Sequence, residues 1–490
     1  MDHSVYDSWQ SIGEKIISND GKWVVYTIEP QEGDNDLIIQ SSETNYKKTI
    51  ARGYKALITE DSRFVIFKIK PFYKETREAR IKKKRRDDIP KDSLGIIELG
   101  KETVWKTPAI REYKIPKFSS GWLAYNLEKK PESPTRTDRT DTKRLTDSLL
   151  NVVDSLQEVI ESMAKQMAPR PPKKANQNEG DDYGDDAGLS DADDDDTSTA
   201  NRIVIADLGL KNLNSGEEKI FPNVSAYYFN EKGTKLLLKQ FGSKDSIGKQ
   251  FVLLYDLNKK ITDTLSRGGN SLGNVAISEN GSQVAFIADK DSTPRIKGQS
   301  RTYKLWYYKE GMDSAVVLAE KNSIGMQLGM TVSEFSTPEF SKSGKRLFFG
   351  TAPIQLPEDT TIADIDKARL DIWHYNDDEI QTVQLLNLRS DLQKNYLAVY
   401  DFEKSGVKQL GSLDIPVVYK TNEGDGDIFV GVTDVGRRIE SQWTGATIKD
   451  IYAINVKDGS QKLVKKDLSG VLNSTYLSST VNTLCGMIIK

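Results

Sequence analysis

SENGSQVAF, residues Ser278–Phe286, runs a polar corner into a strand. Asn-Gly supplies backbone that tolerates φ > 0, and the alternating apolar residues behind it have one face to bury. The pattern recurs as SNDGKWVVY (Ser18–Tyr26), TEDSRFVIF (Thr59–Phe67), SSGWLAY (Ser119–Tyr125), NEKGTKLLL (Asn230–Leu238) and SKSGKRLFF (Ser341–Phe349). Outside one interruption the copies lie roughly 40 to 60 residues apart, in the range of propeller repeats. Between them NRIVIADLGL, QFVLLYDLNKK, YKLWYYKEG, LDIWHYNDDE and KDIYAINVKDGSQKLV read as companion strands, the outer half of a four-stranded blade. No long segment of 3.6-residue period accompanies the copies, which excludes a helical solenoid. The chain is therefore expected to be all-β: a β-propeller of about seven or eight four-stranded blades, incomplete here, with a helical and disordered insertion.

The interruption runs from Lys129 to Ala200. It divides the expected organisation into first blades over 1–128, an insertion over 129–200, remaining blades over 201–479 and an off-pattern tail over 480–490. Inside the insertion a helix is expected over 143–167. Leu145, Leu149, Val152, Leu156, Val159, Met163 and Met167 fall three and four apart on it, one stripe for docking on a blade or on a protein partner. The acidic stretch over 176–200 is short of apolar residues and is expected to be disordered. Asp191, Asp193 and Asp195 match the first three ligand positions of a calcium loop, but Asp196 stands where the turn glycine belongs and Arg202 where the closing glutamate belongs. A solvated loop is the reading, with no metal and no cofactor expected. The basic run Arg80–Arg86 sits in a helical excursion between acidic residues and reads as a solvated helix face.

The 490 residues carry a formal net charge of −3, which argues against nucleic acid as the main partner. No apolar run is long enough to span a membrane. The lone cysteine, Cys485, excludes an intramolecular disulfide. The first residues have neither the basic start nor the apolar core of a secretory signal, so the chain is expected to be cytoplasmic or to start further upstream.

One motif looks catalytic. GNSLG, Gly269–Gly273, fits the G-x-S-x-G elbow around Ser271, and Asp364 or Asp366 with His374 completes a Ser, Asp, His order. An elbow needs a strand, a strained turn and then a helix; here VAISENGSQVAF follows, a blade corner. Ser271 is read as part of a loop between blades, and His374 as a packing or turn-facing residue on the LDIWHYND strand. No catalytic, cofactor-binding or metal-binding residue is assigned.

The six corners, LDIWHYND (Leu370–Asp377), NYLAVYD (Asn395–Asp401) and the excursion FYKETREARIKKKRRDDIPKDSLGIIEL (Phe72–Leu99) resemble the N-terminal propeller of the prolyl oligopeptidase family of serine peptidases, which includes dipeptidyl and acylaminoacyl peptidases. The resemblance extends from Trp9 to about Thr480. It implies a propeller that admits short or unfolded peptides to an α/β-hydrolase domain holding the whole triad, so this segment would be inactive alone and its parent periplasmic or exported. A stand-alone TolB-like propeller that binds a protein partner is the alternative. A further corner is due at YLSST, where the chain reads VNTLCGMIIK instead. With one permitted set of codons, a base restored after Thr480 turns this into GKYFVWYDNK, the missing copy. The gene is then expected to continue in another frame into more propeller and a hydrolase domain. Sequencing the downstream DNA checks this: a stop codon in that frame, or no G-x-S-x-G beyond it, refutes the reading.

Overall fold

The computed structural model describes residues 9–84, 88–128, 205–242, 249–290, 302–355, 370, 372–469, 471–477 and 484–489, the last two segments as backbone only. The chain divides into one unit made of Met1–Glu128 with Ile205–Lys490 and a second, Lys129–Val204. The expected insertion helix, the acidic stretch and the calcium-like loop all lie outside the described residues, as do Asp364 and Asp366.

The first unit is a succession of antiparallel sheets, each strand pairing with the one before it. Blade 1 comprises β1 (Gln10–Ile17), β2 (Trp23–Pro30), β3 (Asp36–Ser41) and β4 (Lys47–Ala51). Blade 2 comprises β5 (Gly53–Ile58), β6 (Phe64–Ile69), β7 (Ser93–Glu98) and β8 (Val104–Thr107), with helix α1 (Tyr73–Ile81) between its second and third strands. Blade 3 takes β9 (Ile110–Lys114), β10 (Trp122–Leu127), β11 (Ala206–Asn212) and the first part of β12 (Glu218–Phe229). The twelve residues of β12 then bend into blade 4, so that Glu218 faces Lys211 of β11 while Phe229 faces Leu236 of the next strand. Asn223, at φ 53°, marks the bend.

Blade 4 continues with β13 (Lys235–Phe241), β14 (Gln250–Asp256) and β15 (Thr262–Arg267), and blade 5 is β16 (Ser271–Ile277), β17 (Gln283–Asp289), β18 (Lys304–Lys309) and β19 (Val316–Ala319). In blade 6 two short pieces, β20 (Met330–Val332) and β21 (Glu339–Phe340), share the inner edge of β22 (Arg346–Pro353), followed by β23 (Tyr396–Asp401) and β24 (Gly406–Gln409). Helix α2 (Gln381–Leu392) lies between β22 and β23. Blade 7 is β25 (Val417–Tyr419), β26 (Ile428–Thr433), β27 (Ile448–Asn455) and β28 (Gln461–Ser469), with helix α3 (Arg438–Thr444) between β26 and β27. The described residues thus build seven blades of an all-β propeller and a two-stranded sheet, β29 (Val471–Leu477) with β30 (Leu484–Ile489). Part of the off-pattern tail therefore pairs as a strand, because a backbone ladder requires no particular side chains.

The corners explain why the sequence repeats. In five copies the first residue is buried: Ser18, Thr59, Asn230, Ser278 and Ser341. Its carbonyl accepts from the amide three residues on, as in Gly281 N to Ser278 O at 2.9 Å and Gly344 N to Ser341 O at 2.8 Å. Its side-chain oxygen accepts from the first amide of the following strand: Trp23 to Ser18 at 3.0 Å, Phe64 to Thr59 at 3.0 Å, Lys235 to Asn230 at 2.7 Å, Gln283 to Ser278 at 3.0 Å and Arg346 to Ser341 at 3.2 Å. A small polar residue is thus required at the start of each copy, since a buried amide left unpaired is destabilising. The fourth residue takes a left-handed conformation, at φ 71° for Gly21, 62° for Gly233, 75° for Gly281 and 72° for Gly344; in the second copy Ser62 adopts it at 54°. SSGWLAY departs from this scheme, and Gly121 instead accepts from the Leu213 amide at 2.8 Å. A version that the sequence pattern did not reveal precedes β26: Thr421 O accepts from Gly424 N at 3.0 Å, and its hydroxyl donates to Ile428 O at 2.7 Å, within a loop lengthened by two residues.

The cores lie between blades. Val25 and Ile39 of blade 1 pack with Val65 and Phe67 of blade 2, Leu237 of blade 4 with Phe286 of blade 5, and Phe348 of blade 6 with Phe429 of blade 7. In blade 5 the period-2 rule is plain: Val284 and Phe286 of β17 face blade 4, while Ala285 and Ile287 face blade 6.

LDIWHYND is not a strand. Its described residues form an exposed turn segment, because β22 and β23 already pair directly, from Arg346 opposite Asp401 to Thr351 opposite Tyr396, and no edge remains for it. Of the two readings of His374 the turn-facing one holds: it is exposed, and its Nδ1 faces the turn at Asn376. Among the described residues of the basic run, the helix ends at Ile81.

Gly281→Ala is expected to lower the unfolding free energy in urea by about 1–2 kcal/mol, the ordinary penalty for a side chain in the left-handed region. The added Cβ would also stand 2.7 Å from the Lys235 side chain. Ser62→Gly should do the reverse or nothing, so the two signs together test the corner. Asp256, buried beneath the corner of blade 4, gives a pH test. Burial pushes its carboxyl up, but the Lys259 and Asn258 amides and the Lys235 ammonium at 2.9 Å outweigh this and hold it below the usual carboxylate range. Its stabilising contribution is complete above about pH 4 and is lost as pH falls through the lowered value. Asp256→Asn should therefore flatten the acid limb of the stability profile.

Candidate functional site

Successive corners bring the inner strands of several blades to one mouth. A cavity of ≈520 Å³ is lined by Lys117 of blade 3, Tyr228, Phe229 and Glu231 of blade 4, Ala276, Ile277 and Glu279 of blade 5, the Pro338–Lys342 segment of blade 6 and Glu423 of blade 7. Tyr228, Phe229, Ala276, Ile277 and Phe340 belong to the last residues of inner strands β12, β16 and β21, so the cavity lies at the corner-turn ends of these inner strands. Burial pushes the Tyr228 phenol up, with Glu112 adding to it. The rim is charged: Lys117 meets Glu231 at 3.4 Å, Lys342 meets Glu423 at 2.9 Å, and Lys420 pairs with Glu339. The Glu423 carboxylate beside Lys342 holds its ammonium above the ordinary lysine range. A mouth with apolar walls and a paired polar rim can take an extended peptide by its backbone and side chains.

The corners also bind one blade to the next around this mouth. Asn230 Nδ2 donates to Glu279 O at 3.0 Å, Gln283 Nε2 to Gly344 O at 3.2 Å, and Ser343 Oγ to Asp425 Oδ1 at 2.6 Å. Arg346 reaches Gly426 O at 2.6 Å and Asp427 at 2.9 Å. Sequence reasoning found the corners but not these contacts, which need the register between blades.

At the opposite strand ends the connections are longer. There α1 roofs a cleft of ≈650 Å³ lined by Glu29, Asp34, Lys70, Arg77, Arg80 and Asp92 among others. Asp34 accepts from the Tyr73 amide at 2.9 Å and Glu32 from the Tyr73 hydroxyl at 2.7 Å, which fixes the start of the helix over blade 1.

The elbow motif lies on that side and serves packing. Ser271 opens β16, which runs on as strand to Ile277, so the helix that an elbow requires does not follow. Its hydroxyl accepts from Tyr303 at 3.3 Å. Gly269, at φ 116°, lies so close to blade 5 that a Cβ would meet Asp289 O at 3.0 Å, and one on Gly273 would meet Ile287 O at 3.2 Å. Lys239 reaches across from β13 to the carbonyls of Leu272 and Gly273, and burial pushes its ammonium down. Nδ1 of His374 accepts from the Asn376 amide at 3.2 Å. Among the described residues no hydrogen bond joins His374 to Ser271.

No protein-family description matches the chain, and no curated protein does. Among solved structures it is similar to the β-propeller domain of the trilobed protease from Pyrococcus furiosus, with an open velcro topology, at 10% identity and a TM-score of 0.31 over 94% of this chain and 99% of that one. It is similar to the Pyrococcus horikoshii acylaminoacyl peptidase at 10% identity and a TM-score of 0.31, covering 95% of this chain and 54% of that one, so it spans about half the length of that peptidase. TolB from Acinetobacter baumannii matches at 8% identity and a TM-score of 0.28, over 94% and 80% of the two chains.

A fluorophosphonate probe is expected to leave Ser271 unlabelled. Ser271→Ala should cost about 0.5–1.5 kcal/mol of stability, the net worth of one hydrogen bond, with no change in labelling.

Proposed function

We propose that this propeller is the substrate-gating domain of a serine peptidase of the prolyl oligopeptidase type, with the chemistry supplied by an α/β-hydrolase domain that the described residues do not include. The observation that carries the proposal is the cavity of ≈520 Å³ lined from five consecutive blades by the ends of inner strands and the corners that follow them. The corner repeat, NYLAVYD and the excursion over Phe72–Leu99 support the same reading, because they are the segments that resemble that family. A gate of this kind acts sterically: short or unfolded peptides enter, folded proteins do not, and internal proteins escape cleavage.

A photoreactive, unstructured peptide of about ten residues should cross-link near Tyr228 and Lys342, and a folded protein carrying the same photoreactive group should not. Ala276→Trp, placed in the cavity wall, should weaken peptide capture by roughly 10-fold, about 1.4 kcal/mol, while leaving the melting temperature near that of the wild type. Equal capture of folded protein, or an unaffected Ala276→Trp variant, would remove the gating reading.

A further inference from the structure

Helix α1 turns a polar face toward the blades. The residues it presents to the cleft of ≈650 Å³ are Tyr73, Thr76, Arg77, Arg80 and Ile81, spaced three and four apart along one side. A helix that packs on a sheet sets an apolar stripe against it. Here two arginines and a threonine hold that position, with the cleft between them and blades 1 and 2.

Both ends of the excursion are pinned. At its entry Asp34 and Glu32 hold Tyr73, and the Arg52 guanidinium lies 3.7 Å over the Phe72 ring while donating to Lys70 O at 2.9 Å. At its exit Asp92 accepts from the Tyr54 hydroxyl and pairs with Lys68 at 3.3 Å, and Lys91 meets Glu128 at 3.1 Å. Walls fixed in advance leave less to be ordered when a ligand arrives.

The charges that line the cleft balance, three carboxylates (Glu29, Asp34, Asp92) against three cations (Lys70, Arg77, Arg80). Two of the six are matched by side chains outside the lining, Asp92 by Lys68 at 3.3 Å and Arg77 by Glu32 at 4.0 Å. Among the described residues, Glu29 and Asp34 have no cation within 4.0 Å, and Lys70 and Arg80 no carboxylate. The basic residues beyond the helix, Lys82 to Lys84, do not line the cleft. A simple anion would be opposed by Glu29 and Asp34, and a simple cation by Lys70 and Arg80, because like charges brought together lower affinity. A ligand with one charge of each sign satisfies both pairs.

We propose that the cleft under α1 binds short peptides with free ends, the terminal carboxylate on Arg80 and Lys70 and the terminal ammonium on Glu29 and Asp34. Pro30, Pro71, Ile81, Ile89 and Pro90 supply apolar wall for the side chains between the two charges. The volume lies within the range of about 300–1,000 Å³ usual for small-ligand clefts. The inference does not rest on the gating proposal, because the cleft lies at the opposite strand ends from the cavity that carries that proposal.

Titration calorimetry of the full 490-residue chain with the tripeptide alanyl-leucyl-alanine tests it. The free peptide should bind, and acetylating its amino end or amidating its carboxyl end should each weaken binding roughly 10-fold, as for one charge-assisted hydrogen bond. Arg80→Gln should weaken the free peptide by the same factor and leave the amidated one unchanged. Glu29→Gln, which keeps an acceptor for the Thr27 hydroxyl at 3.0 Å, should do so for the free peptide and spare the acetylated one. Circular dichroism and the melting temperature should be those of the wild type in both variants. Ala276→Trp, in the other cavity, should leave this binding unchanged. No binding of the free peptide, equal binding of the blocked forms, indifference to Arg80→Gln and Glu29→Gln, loss in Ala276→Trp, or full displacement by inorganic phosphate would each overturn the inference, the last by making the cleft a site for anions alone.

Discussion

A buried hydroxyl or amide oxygen that accepts the first amide of a strand is the contact on which this propeller is built. It closes the corner between the innermost strand of a blade and its neighbour, and it does so at Ser18, Thr59, Asn230, Ser278 and Ser341 with the same partners each time. An aliphatic residue there would bury an unpaired amide in each of these five blades. Because the turn also places its fourth residue in the left-handed region, glycine follows for steric reasons.

Closing the corner fixes the rest. Once the second strand starts at a defined residue, period-2 alternation decides which side chains face the preceding blade and which face the next. Phe286 and Leu305 illustrate the outcome: on neighbouring strands of blade 5, one packs toward blade 4 and the other toward blade 6. The corner residues then reach the next corner through Asn230, Gln283, Ser343 and Arg346, so polar contacts at the strand ends set the spacing at which the apolar layers meet.

The two ends of the strands have consequently diverged. At the corner end the loops are short and hold the channel mouth with ion pairs such as Lys342 with Glu423. At the other end the connection between second and third strands is unconstrained by any repeat, and α1, α2 and α3 are all placed there. The GNSLG segment belongs to this side, where its glycines let a loop pass close to the backbone of blade 5 rather than raise a nucleophile.

The amino-acid sequence by itself determined the all-β class, five of the corners and the strands that follow them, because a polar turn and alternating apolar residues are local instructions. It also disqualified Ser271 as an elbow nucleophile, since the following residues repeat a blade corner. It could not show the corner at Thr421, whose loop is longer by two residues, nor that LDIWHYND lies outside the sheet, since an aromatic run reads as a strand until β22 and β23 are seen to pair with each other. Only the tertiary structure decided the double use of β12, the gathering of five blades at one cavity and the outward leucines of α2. Each depends on which distant segments become neighbours, and contact between successive blades is fixed by the packing of whole sheets rather than by any short run of residues.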